Sequence, residues 1–155
     1  MMQGESATAS LDQMNSPDAV KKAQIVIANS IAEMAKVADL VDRFGAEHAI
    51  PQPAVDHMNI CLDELLNNTI SYGYGDDKAH EIAVELSLVD AALLIAEVRD
   101  DGAAFDPRQA AAPAFDGSIG GLGIHFVRKL MDRVDYARVG DHNVVTITKK
   151  LQPET

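Results

Sequence analysis

The sequence predicts a single α/β domain, a two-layer sandwich with helices on one face of a mixed sheet. Two periodicities in a fixed order carry that expectation. Apolar residues recur every three to four positions through residues 31–44 and 55–69, and from Ile82 the period drops to two. Size agrees, since 155 residues, 47% of them hydrophobic and 24% charged, can bury one core and suit one domain rather than two. The folded unit is expected over residues 21–152, after a flexible polar tail over residues 1–20.

The elements follow in chain order. Residues 23–28 (AQIVIA) form a short apolar run that reads as a first strand. Ser30 and Glu33 have capping-box spacing. Behind them Ile31, Met34, Val37 or Ala38, Val41 and Phe44 mark the inward face of a first helix, which Gly45 is expected to end in a left-handed conformation. After Pro51 and Pro53 a second helix runs over about residues 54–72. Its inward stripe is Val55, Met58, Leu62, Leu65 or Leu66 and Thr69, and Gly73 and Gly75 close it. Ile82, Val84, Leu86 and Leu88 then alternate with Glu81, Ala83, Glu85 and Ser87, a strand with one buried face. A hairpin near Asp90 leads into residues 92–99 (ALLIAEVR), a central strand that delivers Asp100, Asp101 and Gly102 to the end of the sheet. Residues 103–119, Ala-rich with two prolines and no period, read as a mobile loop. Gly120, Gly121 and Gly123 lead into a third helix over about residues 124–133. Strands over 134–139 and 144–150 meet across the Gly140-Asp141 turn.

Charge and composition exclude several classes of function. With 13 Lys plus Arg against 24 Asp plus Glu, the formal charge of −11 repels a polyanion, and no basic stripe offsets it, so nucleic acid is not an expected partner. The longest stretches free of Asp, Glu, Lys and Arg, residues 65–75 and 117–127, fall short of the roughly 18 apolar residues a membrane span needs. The N-terminus has neither a positive start nor an apolar block, so no signal peptide is expected and the cytoplasm is the natural compartment. Cys61 is the single cysteine, and the five His form no ligand pair at helical spacing, which argues against a structural metal.

Three short segments carry the chemistry. Glu64 and Asn68, at i and i+4, project a carboxylate and an amide oxygen from one face of the second helix. Alone that is a solvated polar face. It is also a site where a carbonyl oxygen completes the shell of a phosphate-bound Mg²⁺ while the carboxylate activates a nucleophile. Asp100 ends a buried strand, where a carboxylate can accept from an exocyclic amine, and Gly102 allows a turn and a close backbone approach to a planar ligand. Asp-Gly is equally a common turn. The glycines at 120, 121 and 123 open into a helix, whose unpaired N–H groups suit phosphate, although glycine before a helix also has a plain structural use. The pattern fits neither the Walker nor the Rossmann glycine motif.

The ordered set E-x-x-x-N on a helix, D-x-G-x-x-F after a strand, a loose loop and G-G-x-G into a helix resembles the GHKL superfamily of ATP-binding domains (gyrase, histidine kinase and MutL type), with the Bergerat fold. Within it the chain most resembles the small stand-alone serine kinases that act as anti-sigma factors, the RsbW type. The resemblance spans about residues 21–151 and includes the run Leu122 to Asp132 (LGIHFVRKLMD) and the closing Asn143-Val144-Val145-Thr146-Ile147. Carried over by position, it implies that Glu64 is the general base, Asn68 the Mg²⁺ ligand and Asp100 the adenine-reading acid. It further implies Gly102 as the turn residue beside the base, Gly121 and Gly123 as phosphate-contacting glycines, and Phe105 and Thr146 as nucleotide-binding positions. Two departures stand out: Tyr72 occupies a position where many relatives carry His, and Arg108 is the one basic residue between Asp106 and Ile119.

The function implied is a cytoplasmic serine/threonine protein kinase dependent on ATP and Mg²⁺. It would phosphorylate a small anti-sigma-factor antagonist and sequester a transcription factor, such as a sigma factor. Alternative readings are a non-catalytic module switched by ATP and ADP, or a detached histidine-kinase catalytic domain; the length leaves no room for a complete sensor kinase. Pairing as a homodimer is a further expectation, with the exposed first strand as an available edge. Residues 103–119 would act as a lid over ATP. His57 and Cys61, which share the Glu64 face, read as pocket wall or core rather than metal ligands.

Overall fold

The computed structural model describes residues 20–109 and 120–151. The expected tail, apart from Val20, and most of the expected lid, residues 110–119, lie outside the described residues. Five strands, β1 (Lys21–Ala28), β2 (Glu81–Val89), β3 (Leu93–Asp100), β4 (Arg133–Val139) and β5 (His142–Lys150), form one sheet in the order β1-β2-β3-β5-β4. The helices α1 (Met34–Glu47), α2 (Gln52–Tyr72) and α3 (Gly120–Leu130) complete a two-layer α/β sandwich. No helix among the described residues is long and apolar enough to cross a membrane.

The sheet is not mixed, because all four strand pairings are antiparallel. Two helices rather than one separate β1 from β2, so the chain returns in the opposite sense. The α3 crossover does leave β3 and β4 running the same way, but β5 inserts between them and pairs with both. The parallel neighbours of a mixed sheet are thereby lost.

Strand alternation assigns the two faces. Ile82, Val84, Leu86, Leu94, Ala96, Val98, Val145 and Ile147 point inward and share one core with Val37, Val41 and Phe44 of α1, Met58, Leu62 and Leu66 of α2, and Ile124 and Val127 of α3. The opposite face of β2 and β3 is half-exposed.

Local geometry departs from expectation at three places. Ser30 makes no side-chain cap; the chain enters α1 through a 3-10 turn at Ile31–Glu33, and Glu33 accepts from the Ala28 N–H (3.3 Å) while pairing with Lys36 (2.8 Å). Gly45 lies inside α1 and does not end it. A Cβ there would sit 2.6 Å from Cγ2 of Val55, so the glycine serves close packing of α1 on α2, and the left-handed residue is Ala49, at φ 54°. The third helix begins at Gly120 and stops at Leu130, whose carbonyl accepts from Lys149 Nζ at 2.8 Å, so β4 starts at Arg133. The β2–β3 hairpin turns as expected, through Asp90 and Ala91 at φ 57° and 54°, with the Ala92 N–H closing on the Val89 carbonyl at 2.9 Å.

Candidate functional site

β3 carries Asp100 to the end of the sheet on the inward face, directly opposite Asn143 of β5. Both residues are buried, each at 4% exposure, and among the described residues they are the polar members of an otherwise apolar buried set. Asp100 Oδ1 accepts from the Gly102 N–H (2.8 Å) and from Asn143 Nδ2 (3.0 Å). Among the described residues no donor meets Oδ2. A buried carboxylate with one oxygen tied and one open is a fixed acceptor aimed at an incoming donor.

Asn143 is the hub of this end of the site. Its Nδ2 also donates to the Ala103 carbonyl at 2.9 Å, and its Oδ1 accepts from the Tyr136 hydroxyl at 2.6 Å and from the Phe105 N–H at 3.2 Å. Arg138 Nη1 donates to the Gly102 carbonyl (2.8 Å), and the Ala103 N–H donates to the carbonyl of Gly73, just past α2 (2.8 Å). The turn after β3 is thus bonded to β4, to β5 and to the end of α2. A Cβ on Gly102 would lie 2.7 Å from the Gly73 carbonyl oxygen and 3.0 Å from Asp100 Oδ1. That close approach, within the protein itself, is the structural reason for a glycine here.

Strand phase separates Thr146 from this network. Thr146 is in register with Glu97 of β3 and Asp135 of β4, one step out of phase with Asn143, and so lies on the sheet face away from the helices. Thr146, expected as a nucleotide-binding position, is therefore not on the face that carries Asp100; the β5 residue beside Asp100 is Asn143. The signal was present in the sequence: an amide in phase with inward Val145 and Ile147. Tyr136, Arg138, Tyr74 and His80 were also missed. The Tyr74 hydroxyl is buried without a partner among the described residues, and burial, with Asp100 and Asp101 nearby, pushes its ionisation well above the usual range.

Glu64 and Asn68 sit on the border of the buried stripe of α2, half-exposed, and neither makes a hydrogen bond among the described residues. Burial, and secondarily the neighbouring charge of Asp63, raises the pKa of Glu64, making it more basic than an ordinary glutamate. Farther along that face Cys61 is fully buried, its thiol pushed up to about 12 chiefly by burial, and Nδ1 of His57 is buried without a partner among the described residues. Among the described residues no group of three or more His, Cys, Asp or Glu could hold a metal ion. A divalent ion here would rely on Asn68 and on oxygens brought by a ligand.

The remaining expected site residues stand apart. The Phe105 ring is 44% exposed, although its N–H is tied to Asn143. Arg108 folds back on Asp106, with Nη2 2.8 Å and Nε 3.0 Å from its carboxylate, which keeps that carboxyl below the usual range. Gly121 lies in the first turn of α3, where backbone N–H groups lack intrahelical acceptors, and Gly123 follows two residues on.

The structure thus presents a fixed acceptor at the sheet end, a carboxylate and an amide on α2 whose side chains meet no partner among the described residues, and a glycine-led start to α3. The sequence profile of the histidine kinase-like ATPase domain matches residues 27–149. The serine/threonine-protein kinase BtrW of Bordetella bronchiseptica is 32% identical over 104 residues, which cover 63% of this chain and 72% of BtrW. The crystal structure of the RsbU and RsbW domains of Rv1364c from Mycobacterium tuberculosis superposes with a TM-score of 0.62 at 15% identity, over 86% of this chain and 33% of that one. The histidine kinase domain of the blue-light activated kinase from Erythrobacter litoralis EL346 gives 0.53 at 18% identity, over 78% of this chain and 60% of that one. The two solved structures share the fold. The sequence match over residues 27–149 and the likeness to BtrW go further, and the chain belongs to the family of histidine kinase-like ATPase domains.

Proposed function

We propose that this chain is an ATP- and Mg²⁺-dependent protein serine/threonine kinase that acts as an anti-sigma regulatory factor, phosphorylating a small antagonist protein and sequestering a transcription factor. The observation that carries the kinase reading is Glu64, a carboxylate of raised basicity with no side-chain partner among the described residues, one helical turn from Asn68, which among them has none either. A carboxylate base suits a neutral hydroxyl, whose proton must leave as the oxygen attacks; a His acceptor can offer an unprotonated ring nitrogen and needs such help less. BtrW, a serine/threonine kinase by name, supports the same reading.

In this assignment Asp100 Oδ2 accepts from the adenine amine, which guanine replaces with a carbonyl oxygen. ATP is therefore preferred over GTP by about ten- to a hundredfold. Asn68, together with phosphate oxygens of the nucleotide, would hold Mg²⁺, which would supply neutralisation of phosphate charge. Glu64 orients the acceptor hydroxyl and takes its proton.

The test is incubation of the purified protein with labelled ATP and native extract, followed by acid and alkali treatment of the labelled band. The expected product is an acid-stable phosphoprotein of small size. An acid-labile product identifies a histidine kinase instead, and no labelled band where a partner is shown to bind identifies a non-catalytic module.

A further inference from the structure

Past the end of β1, Asn29 fixes the backbone of His80 from both sides. Its N–H donates to the His80 carbonyl at 3.0 Å and its Oδ1 accepts from the His80 N–H at 3.0 Å. With its backbone held, the imidazole reaches carboxylates on two separate segments. Nε2 lies 2.8 Å from Asp76 Oδ1 in the α2–β2 connection, and Nδ1 lies 3.1 Å from Asp101 Oδ1 in the turn after β3. One ring face stacks on Tyr74, with centroids 4.3 Å apart and planes 16° off parallel. The side chain is 17% exposed.

Carboxylates only accept, so both ring nitrogens are satisfied at once only when both carry hydrogen, that is, as imidazolium. A neutral ring has one N–H and must turn a lone pair toward one of the two carboxylates. The groups facing the ring are Asp76 and Asp101 with Tyr74 stacked against it, Lys78 acts on Asp76, and Asp100 acts on Tyr74. Two carboxylates outweigh one ammonium. The bond to Asp76 is the largest cause, and that to Asp101 adds to it, in raising the His80 pKa above its ordinary 6.5.

Asp101 follows Asp100 directly, so the bond to His80 restrains the backbone that aims the base-reading carboxylate. We propose that His80 is a positioning residue for nucleotide binding: its imidazolium ties the α2–β2 connection to the Asp100–Gly102 turn, and loss of its proton loosens that turn and weakens nucleotide affinity. The inference rests on the assignment of Asp100 to the base. The direction follows from linkage: the folded state favours the protonated ring, so the tie is complete below about pH 6.5 and is lost as pH rises through the higher folded value.

Mg-ATP affinity is measured calorimetrically from about pH 5.5 to about pH 8.5, and His80 is followed by NMR, its ring signals assigned as those absent in His80→Gln. Because the titration of ATP is common to both proteins, the difference between them isolates the histidine. Wild-type affinity is expected to fall about three- to tenfold more than that of His80→Gln over this range, with its midpoint at the NMR pKa. Asp76→Asn, in an exposed connection, keeps the ring and shifts both midpoints to lower pH. Equal affinity profiles for wild type and His80→Gln overturn the proposal, as do variants that change thermal stability alone. If wild type binds no ATP at any pH, the assignment of the site itself fails, whatever the NMR pKa of His80.

Discussion

At the sheet end of the site, Asp100 and the turn behind it are held by Asn143, Arg138 and the Gly73 carbonyl. On α2, Glu64 and Asn68 meet no hydrogen-bond partner among the described residues. Among the described residues the first region is finished without a ligand, with the Tyr74 hydroxyl as its buried atom lacking a partner and Asp100 Oδ2 left open; the second leaves its side-chain polar atoms free. Preorganisation at the base end keeps affinity from being spent on ordering a loop. Unpaired groups at the other end retain their basicity and their coordinating capacity. The comparison predicts that substitutions at the base end cost stability and selectivity, and that those on α2 cost chemistry.

The largest expected effect lies on α2. Glu64→Gln should slow phosphoryl transfer about a hundredfold to ten-thousandfold while ATP still binds, measured by single-turnover labelling of the acceptor. Stability moves the other way. The raised pKa of Glu64 means the fold prefers its neutral form, so this carboxyl favours folding below about pH 4.5 and opposes it once ionised. Glu64→Gln should therefore unfold at a slightly higher temperature than wild type at pH 7, and wild-type turnover should fall as pH drops through the raised Glu64 pKa. A variant that is slower because it is less stable would erase the contrast between the two regions.

Asn143→Ala comes next, since it strips partners from the Tyr136 hydroxyl, the Phe105 N–H and the Ala103 carbonyl together. Chemical denaturation should show a loss of about 2 to 4 kcal/mol. Asp100→Asn probes the same region with the turn preserved, because an amide oxygen can still accept from Gly102 and Asn143. It places an amide NH2, a donor, toward the adenine amine instead, and ATP affinity should drop by about 1.5 to 3 kcal/mol, narrowing the preference over GTP in calorimetry. The smallest stability change is expected for Asn68→Ala, within about 0.5 kcal/mol, with Mg-ATP binding weakened. A larger stability loss there would place Asn68 in the framework rather than the site.

Much of this was readable along the chain. The inward stripe of α2 and the alternation of β2 depend on residues three, four or two apart, and both appear where the periodicity put them, except that Thr69 is only half-buried. Gly45 shows the limit: a glycine near a helix end reads as a terminator, yet its reason is Val55 on another helix, a contact no local window contains. Thr146 shows another. A motif carried over by likeness identified the strand but not the phase, and one residue along a strand exchanges the faces of a sheet.

The sequence by itself determined the two-layer α/β class, the order of elements and the segments that hold Glu64, Asn68, Asp100 and Gly102, because these follow from short-range periodicity and from which residue types can do the chemistry. Tertiary structure alone decided that the sheet is antiparallel throughout, since that depends on β5 inserting between β3 and β4. It decided that Asn143, 43 residues beyond Asp100, is the partner that fixes the carboxylate. It also brought His80 between Asp76 and Asp101. Hydrogen bonds between distant segments are set by how the layers pack, and packing is a property of the whole chain, not of any stretch of it.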